Sequence, residues 1–335
     1  MVFPRTVLCV VLLSFFLTLY SQEDSPLFAS EEVLELQIHT DIPAIQGDRT
    51  TKEVYRSATL ICSEGKSIPV EVKVRGNFRK RPDICSFPPL KLKLPLSASR
   101  ETPFDGQSKL KLVTHCQGDD LVLKEYMVYK TLNLLTPNSF KVRLVKIKYK
   151  DISKKEGTQS HFGILLESTK HLVKRLGGSE LEKARLEPTS LSEENLAIMS
   201  LFHYMIGNTD WDVTLDKNVK IVGFPEEKEP LAIPYDFDMA GVVMAPYSDK
   251  YIGAPESRRK FRPVACKRTI LEEAIVHFRE NKEAIYTLYT SCPYLKKKEV
   301  NKALAYFDKF YAILDTQESV EKVFMSQLAE EDLSR

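Results

Sequence analysis

The sequence predicts an α+β chain with a β-rich N-terminal half and a mainly helical C-terminal half. Two observations support this. Between residues 31 and 150, apolar and polar residues alternate in several short runs, which is the period of a half-buried strand. From residue 192 onward, apolar residues recur mostly at helical spacing. The composition is that of a globular chain, because 43% of the 335 residues are hydrophobic and 28% are charged, which excludes wholesale disorder.

The N-terminus predicts an export signal over residues 1–21. Arg5 is the one charge before Glu23, and an apolar run of about 13 residues follows it. That length suits a signal peptide better than a membrane span, although an uncleaved signal anchor is an alternative. No later segment has the ~18 apolar residues that a membrane helix needs. We therefore expect no membrane span after signal cleavage, and an exported protein in the periplasm, at the cell surface or outside the cell.

The first half predicts an antiparallel sheet and one prominent helix. Alternating or apolar runs predict strands over residues 35–40, 68–74, 90–94, 109–113, 142–150 and 161–167. A helix is predicted from Asp119 to Leu135, with Asp119 or Asp120 as its N-cap and Pro137 just beyond its end.

The second half predicts a buried helix, a hairpin and two long helices. Ser192 is placed to cap a helix that runs to Ile206, and Gly207 is a suitable C-cap. Short strands follow at 218–222 and 231–234. Amphipathic helices are predicted over 269–290 and 297–328.

Removal of the signal leaves five cysteines, namely Cys62, Cys85, Cys116, Cys266 and Cys292. None of them has the Cys-x-x-Cys spacing of a structural zinc site. Cys62 and Cys85 could form a disulfide, but the favoured interpretation is that the cysteines are small buried apolar residues.

Two acid-rich segments flank the predicted hairpin. Asp210 and Asn218 precede or begin its first strand, and Asp236 and Asp238 follow its second strand. Because a hairpin brings its two ends together, these four residues can converge. Carboxylate and amide oxygens suit Mg²⁺ or Mn²⁺. The alternative is that each residue only caps a turn, but two such segments on one hairpin favour the metal site.

Basic residues offer a second set of candidates. Lys91 and Lys93 share one face of a predicted strand, and Glu125 lies on the helix that follows. Such lysines often form a solvated face, but a lysine held by a helix glutamate can also reach a nucleotide phosphate. The dispersed basic residues and the net charge of +2 give no support for nucleic-acid binding.

Together these residues resemble the spore-coat protein H (CotH) kinase family, over about residues 70–247. The residues that carry the resemblance are Val74-Arg75-Gly76-Asn77, the strand 90–94, Leu123-Lys124-Glu125-Tyr126, Gly163 to Glu167, Ile206 to Asp212 with Asn218, and Pro234 to Asp238 followed by Gly241. The segment from Ile206 to Asp210 is also similar to the catalytic loop of HipA-type kinases.

The resemblance implies an atypical protein-kinase-like bilobal fold, with an N-lobe over 22–167 and a C-lobe over 168–335. It implies a kinase that transfers the γ-phosphoryl group of ATP to hydroxyl groups of a protein substrate, with Mg²⁺ or Mn²⁺. The roles it implies are a phosphate-binding lysine at Lys93 or Lys91, its partner Glu125, Glu167 near the adenine, Asp210 as catalytic aspartate, and Asn218 with Asp236 or Asp238 as metal ligands.

The sequence departs from ordinary protein kinases in two places. Asp210 and Asn218 are eight positions apart, where about five is usual, and no glycine-rich loop is visible in the first half. Two other functions therefore remain open. One is a catalytically inactive kinase-like scaffold of the envelope or surface, and the other is a metal-dependent hydrolase.

Overall fold

The computed structural model describes residues 25–49, 54–62, 65–154, 157–181, 186–225, 228–326 and 328. The predicted signal, 1–21, lies outside them. The strands are β1 (Leu34–Thr40), β2 (Arg56–Cys62), β3 (Ser67–Val74), β4 (Leu90–Lys93), β5 (Lys109–Val113), β6 (Val142–Asp151), β7 (Thr158–Leu166), β8 (Ser179–Glu180), β9 (Val219–Gly223) and β10 (Leu231–Pro234). The α-helices are α1 (Ile42–Gly47), α2 (Asp119–Leu135), α3 (Thr169–Leu176), α4 (Glu193–Ile206), α5 (Pro246–Ile252), α6 (Arg268–Glu280), α7 (Lys282–Thr290), α8 (Lys297–Leu314) and α9 (Gln317–Val320).

The first seven strands form a closed barrel in the order β1-β2-β3-β4-β5-β7-β6. All neighbours are antiparallel except β1 and β6, which close the barrel as a parallel pair from Leu34 opposite Val145 to Thr40 opposite Asp151. The expectation of an antiparallel sheet is therefore corrected in one respect, because a parallel pair closes it. Alternate apolar side chains point inward and form a buried core, which includes Leu36, Leu60, Val72, Leu92, Leu110 and Ile147.

Helix α2 has the predicted bounds and packs against β7, α4 and α7. Its N-cap is Gly118, so the predicted cap at Asp119 or Asp120 is wrong by one or two positions. Both acids lie instead in the first turn, where a negative charge favours the helix dipole. Most of the helix is buried, and its apolar residues join a second core that continues into the C-terminal helices.

Helix α4 begins and ends as the sequence predicts. The hydroxyl of Ser192 accepts a hydrogen bond from the N–H of Asn195, and Gly207 ends the helix with a left-handed φ of 64°. Strands β9 and β10 form the predicted hairpin, and β8 extends it to a small three-stranded sheet. This sheet, α4 and Trp211 enclose a third apolar cluster.

The predicted C-terminal helices are each interrupted. The segment 269–290 is two helices, α6 and α7, that meet at Asn281, and the segment 297–328 breaks at Asp315 and Thr316. A π-helical turn over Glu321–Met325 follows α9. None of the described residues belongs to a helix long and apolar enough to cross a membrane.

One disulfide is present among the described residues, and it differs from the pairing considered above. Cys85 bonds Cys116, so the preference for buried unbonded cysteines is wrong at these two positions. Cys62 lies on β2 and is buried in the barrel core, away from this bond. The disulfide joins the loop after β3 to the segment that leads into α2. The described chain is thus a mixed α/β structure, and the division into lobes at residue 167 stays a prediction.

Candidate functional site

The two acid-rich segments meet beside the β9–β10 hairpin. The N–H of Tyr235 donates to the carbonyl of Asn218 at 2.9 Å, which places Asn218 next to the start of the second acidic segment. The loop after β10 is in turn fixed to the end of α4, because Gly241 and Val242 donate to the carbonyls of Gly207 and Ile206 at 2.9 and 3.1 Å. We call Asp210, Asn218 and Asp236 the acidic site.

Asp210 and Asn218 are in direct contact despite their eight-residue spacing. The Asn218 amide nitrogen donates to the main-chain carbonyl of Asp210 at 2.7 Å and to its Oδ2 at 2.9 Å. This orientation leaves the amide oxygen of Asn218 directed away from Asp210. The other carboxylate oxygen of Asp210 forms an ion pair with Lys217.

Tyr306 of α8 packs against both acid-rich segments. Its hydroxyl donates to the carbonyl of Pro255 at 2.9 Å and lies against Gly207 and Gly241. A methyl group at either glycine would overlap that hydroxyl. The close approach of α8 to both acidic segments therefore requires glycine at these two positions.

A buried arginine links the second acidic segment to α2. Arg79 donates from Nη1 to Glu125 at 2.8 Å and from Nη2 to Oδ1 of Asp236, and its Nε lies 3.2 Å from Oδ2 of Asp238. We call these four residues the Arg79 cluster. The side chains of Arg79, Glu125 and Asp238 are 8%, 2% and 9% exposed, whereas that of Asp236 is 32% exposed. Asp236 is therefore the carboxylate of the cluster that reaches solvent.

The electrostatics separate the two aspartates. Burial raises the pKa of Asp238 to about 7, and the charge of Arg79 offsets this only in part. Burial would also raise the pKa of Asp236, but the charges of Arg79, Arg75 and Lys111 outweigh it and hold that pKa below its usual value. Burial raises the pKa of Glu125 despite its contact with Arg79. Asp236 is thus the aspartate kept ionised, which suits a cation ligand better than Asp238.

A second contact also joins Asp236 to α2. The main-chain N–H of Asp236 donates to the Tyr129 hydroxyl at 2.8 Å, and the Tyr129 ring packs against Phe237 with centroids 4.7 Å apart. Asp236 has a left-handed φ of 66° and Asn218 one of 54°, a conformation that asparagine and aspartate tolerate better than most residues. The acidic site therefore contains two residues in an uncommon backbone conformation.

The expected pairing of Lys93 with Glu125 is wrong. Lys93 points outward from β4, is 49% exposed and pairs with Glu71 on β3 at 2.5 Å. Arg79, delivered by the loop after β3, holds Glu125 instead. The physical reason is the strand order: β4 is separated from β7, against which α2 packs, by β5.

Besides Lys217, which pairs with Asp210, Lys111 on β5 approaches the acidic site from the barrel. Its ammonium lies 4.7 Å from the centroid of the Tyr235 ring, next to Asp236 in the chain. Burial, followed by the charge of Arg75, lowers the pKa of Lys111 to about 8, and Lys220 and Lys91 contribute in the same direction. Neither Lys111 nor Arg75 has an ion pair within the described part of the chain.

Lys91 stands beside Lys111 on the neighbouring strand, with their Cα atoms in register. The sequence does not single out Lys111 or Arg79 as site residues, and it indicates Arg75 only as part of a turn, Arg75-Gly76-Asn77, that could equally be a loop approaching a phosphate. A signal existed for Lys111, since it lies on the strand directly before α2, but the run Lys109 to Val113 repeats the pattern of 90–94. Arg79 is one of three consecutive basic residues, and the sequence does not distinguish them.

Glu167 follows β7 and forms hydrogen bonds with neighbouring segments of the chain. Its carboxylate accepts hydrogen bonds from Arg175 of α3 at 3.0 and 2.9 Å and from the N–H of Lys141 at 3.0 Å. These contacts join the start of β6, the end of β7 and α3. The structure does not bring Glu167 into the acidic site, and its role near an adenine stays a prediction.

Trp211 and Arg262 brace the segment that carries Asp210. Trp211 stacks on His203 of α4 with centroids 4.6 Å apart, and burial lowers the pKa of that histidine to about 3. Arg262 donates to the carbonyls of Thr209, at 2.9 Å, and Trp211. His203 is therefore a neutral core residue, and the main chain on both sides of Asp210 is held by one guanidinium.

The described residues contain no group of three or more histidine, cysteine, aspartate or glutamate side chains that could hold a metal ion. The acidic site instead combines two carboxylates, those of Asp210 and Asp236, with the amide of Asn218.

Comparison with known proteins gives little. No protein-family model and no curated protein matches the chain. A solved structure that resembles it is that of a Helicobacter pylori proinflammatory kinase, CtkA, with 10% identity, 78% of this chain and 89% of that chain covered, and a TM-score of 0.36. This score does not establish a shared fold, so the likeness by itself assigns no function.

Proposed function

We propose that the chain is an exported, atypical CotH-like kinase that uses Mg²⁺ or Mn²⁺ to transfer the γ-phosphoryl group of ATP to hydroxyl groups of a protein. The observation that carries the proposal is the meeting of oppositely charged groups around Tyr235 and Asp236. Asp236 belongs to the acidic site, Lys111 lies over the ring of the neighbouring Tyr235, and the charges of Lys111 and Arg75 both act on Asp236. Phosphoryl transfer depends mainly on such positioning of cations and carboxylates.

The donor set of the acidic site fits a hard divalent cation. Asp236 keeps one carboxylate oxygen outside its contact with Arg79, and Asn218 keeps its amide oxygen outside its contacts with Asp210. Oxygen donors of this kind are those that Mg²⁺ and Mn²⁺ prefer. Asp238 fits less well, since its carboxylate is buried between Arg79 and the Tyr247 hydroxyl. The metal, when bound, would neutralise charge on the phosphates.

The other roles are carried by groups of this chain. Asp210, with a side chain 23% exposed, would orient the acceptor hydroxyl and accept its proton. Lys111 and Arg75 would contact the phosphates, and an anion beside them would offset the charge of Arg75, which adds to the effect of burial in lowering the pKa of Lys111. This assigns to Lys111 the role that the sequence suggests for Lys93.

Export agrees with the disulfide. Disulfides persist in oxidising compartments and are rare in the cytosol of most organisms, and Cys85 of the Cys85–Cys116 bond lies in the same loop after β3 as Arg79. On this proposal the acceptor would be a protein of the same compartment.

The test is ATP binding and autophosphorylation by purified residues 22–335 with Mg²⁺ or Mn²⁺. Asp210→Asn and Asp236→Asn should each abolish transfer. Asp212→Asn is the matched control, because that carboxylate accepts a hydrogen bond from the N–H of Leu215 at 2.9 Å, which an asparagine oxygen can also accept. Unchanged transfer in the first two variants would overturn the assignment. No nucleotide binding with either metal would favour the inactive scaffold, and release of phosphate without transfer to protein would favour a hydrolase.

A further inference from the structure

Asp236 is the most exposed carboxylate of the Arg79 cluster, and α2 reaches it by two routes. Glu125 reaches it through the guanidinium of Arg79, and Tyr129 reaches it through the hydrogen bond to its N–H. Glu125 and Tyr129 are four residues apart, so both project from one face of α2. The side chain and the main chain of Asp236 are thus both connected to α2.

The chemistry of this bridge is specific to arginine. A guanidinium presents five N–H donors in a rigid plane and can serve several carboxylates at once. Arg79 serves Glu125 through Nη1, Asp236 through Nη2 and Asp238 through Nε. A lysine would bring the same charge to a single point and could not hold all three carboxylates in place.

We propose that Arg79 is a positioning residue that fixes Asp236 to α2 in its metal-binding orientation. The inference rests on the proposed function for its metal, and on the geometry for everything else. Asp236 binds the cation with the oxygen that Arg79 leaves open, and Arg79 restrains the other oxygen. Partners of this kind behind a metal ligand change metal affinity by about 10–100-fold when they are replaced.

The test is Arg79→Lys, which keeps the positive charge and removes the fork. Mn²⁺ binding is measured by calorimetric titration without nucleotide, and the fold is checked by circular dichroism. We expect Mn²⁺ to bind at least about tenfold more weakly, and we expect kcat to fall with little change in KM for ATP. Arg56→Lys is the matched control, because Arg56 makes a similar two-pronged contact with Asp48, at 2.7 Å, in a different part of the chain.

A second variant, Tyr129→Phe, breaks the other contact between α2 and Asp236 and removes no charge. It should weaken Mn²⁺ binding in the same direction, and it tests whether the position of Asp236 against α2 governs Mn²⁺ affinity if Arg79→Lys fails to fold. A third variant, Arg79→Met, distinguishes whether Arg79 positions Asp236 for the metal or competes with the metal for Asp236. If Arg79 merely competed with the metal for Asp236, removing its charge would tighten Mn²⁺ binding, and that result would overturn the inference.

The outcomes also separate this inference from the proposed function. A wild-type protein that binds Mn²⁺ but transfers no phosphoryl group refutes the kinase proposal, and the Mn²⁺ titrations still decide the role of Arg79. Mn²⁺ binding by Arg79→Lys within twofold of the wild type, or no binding by the wild type, overturns the role of Arg79.

Discussion

Substitution of Lys111 tests which lysine contacts the phosphates of the nucleotide. Its pKa is lowered from 10.5 to about 8 because the side chain is largely desolvated and faces other cations. A lowering of that size costs the folded state about 3 kcal/mol at pH 7. Contact with the face of Tyr235 returns about 1 kcal/mol. Lys111→Met removes both effects, so we expect the free energy of unfolding to rise by about 2 kcal/mol.

The pH dependence has a defined sign. Because the folded-state pKa of Lys111 lies below its unfolded value, the unfolded chain binds more protons between about pH 8 and pH 10.5. The unfavourable contribution of Lys111 is complete below that window and disappears as the pH rises through it. The stability advantage of Lys111→Met over the wild type should therefore be largest at neutral pH and shrink across the window.

Urea unfolding, followed by the fluorescence of the single tryptophan, measures this effect. Trp211 is stacked on His203 and 5% exposed, so its emission reports loss of the fold around Asp210. Lys93→Met is the matched control, since Lys93 is solvent-exposed and should leave stability nearly unchanged. ATP or pyrophosphate should raise the melting temperature of the wild type and of Lys93→Met, and should raise that of Lys111→Met much less.

Two results would refute this reasoning. Lower stability of Lys111→Met at pH 7 would show that the lysine is not electrostatically unfavourable where it lies. Equal stabilisation of Lys111→Met and the wild type by ATP would show that Lys111 does not contact the phosphates.

Two further predictions concern the supports of the site. Replacing Cys85 and Cys116 by serine should lower the free energy of unfolding by roughly 3–4 kcal/mol, because the bond closes a loop with a separation of 31 residues. Urea unfolding measures this loss, with Cys292→Ser as the control. Equal stability of the oxidised and the reduced wild type would contradict the prediction. Gly207→Ala should lower the free energy of unfolding by about 2–4 kcal/mol, because alanine is strained at the left-handed φ of this position and its methyl group would overlap the Tyr306 hydroxyl. Adding Tyr306→Phe should restore part of that loss in the same assay, and no recovery would show that the hydroxyl is not the obstacle.

The sequence predicted those parts of the fold that depend on local information. Helix α2 has the expected bounds and β10 the expected residues, because period, caps and the hairpin are all encoded in neighbouring residues. The closure of the barrel depends instead on β1 and β6, which lie about a hundred residues apart. Alternation shows that a strand has an inner face and an outer face, but it does not identify the neighbour of that strand.

The same limit explains the errors at the site. Lys93 and Lys111 lie in nearly identical runs, and both point outward from the barrel. Their difference comes from strand order, because β5 is the neighbour of β7 and β4 is not. The contact of Asp210 with Asn218 was expected from the hairpin, whereas the link from Glu125 to Asp236 depends on a loop after β3 that no periodic pattern describes.

The allocation of arginine and lysine follows from burial. Arg79 lies among three carboxylates that are mostly removed from water, and a guanidinium stays charged there because its pKa is raised further by those carboxylates. Lys111 is largely desolvated and lies among cations, which together lower its pKa to about 8. The Arg79 cluster is therefore held by a cation that stays protonated. The proposed phosphate site contains Lys111, whose protonated form would be stabilised by a bound anion. The net charge of +2 conceals this difference, since it sums the carboxylates and the cations that meet around Asp236.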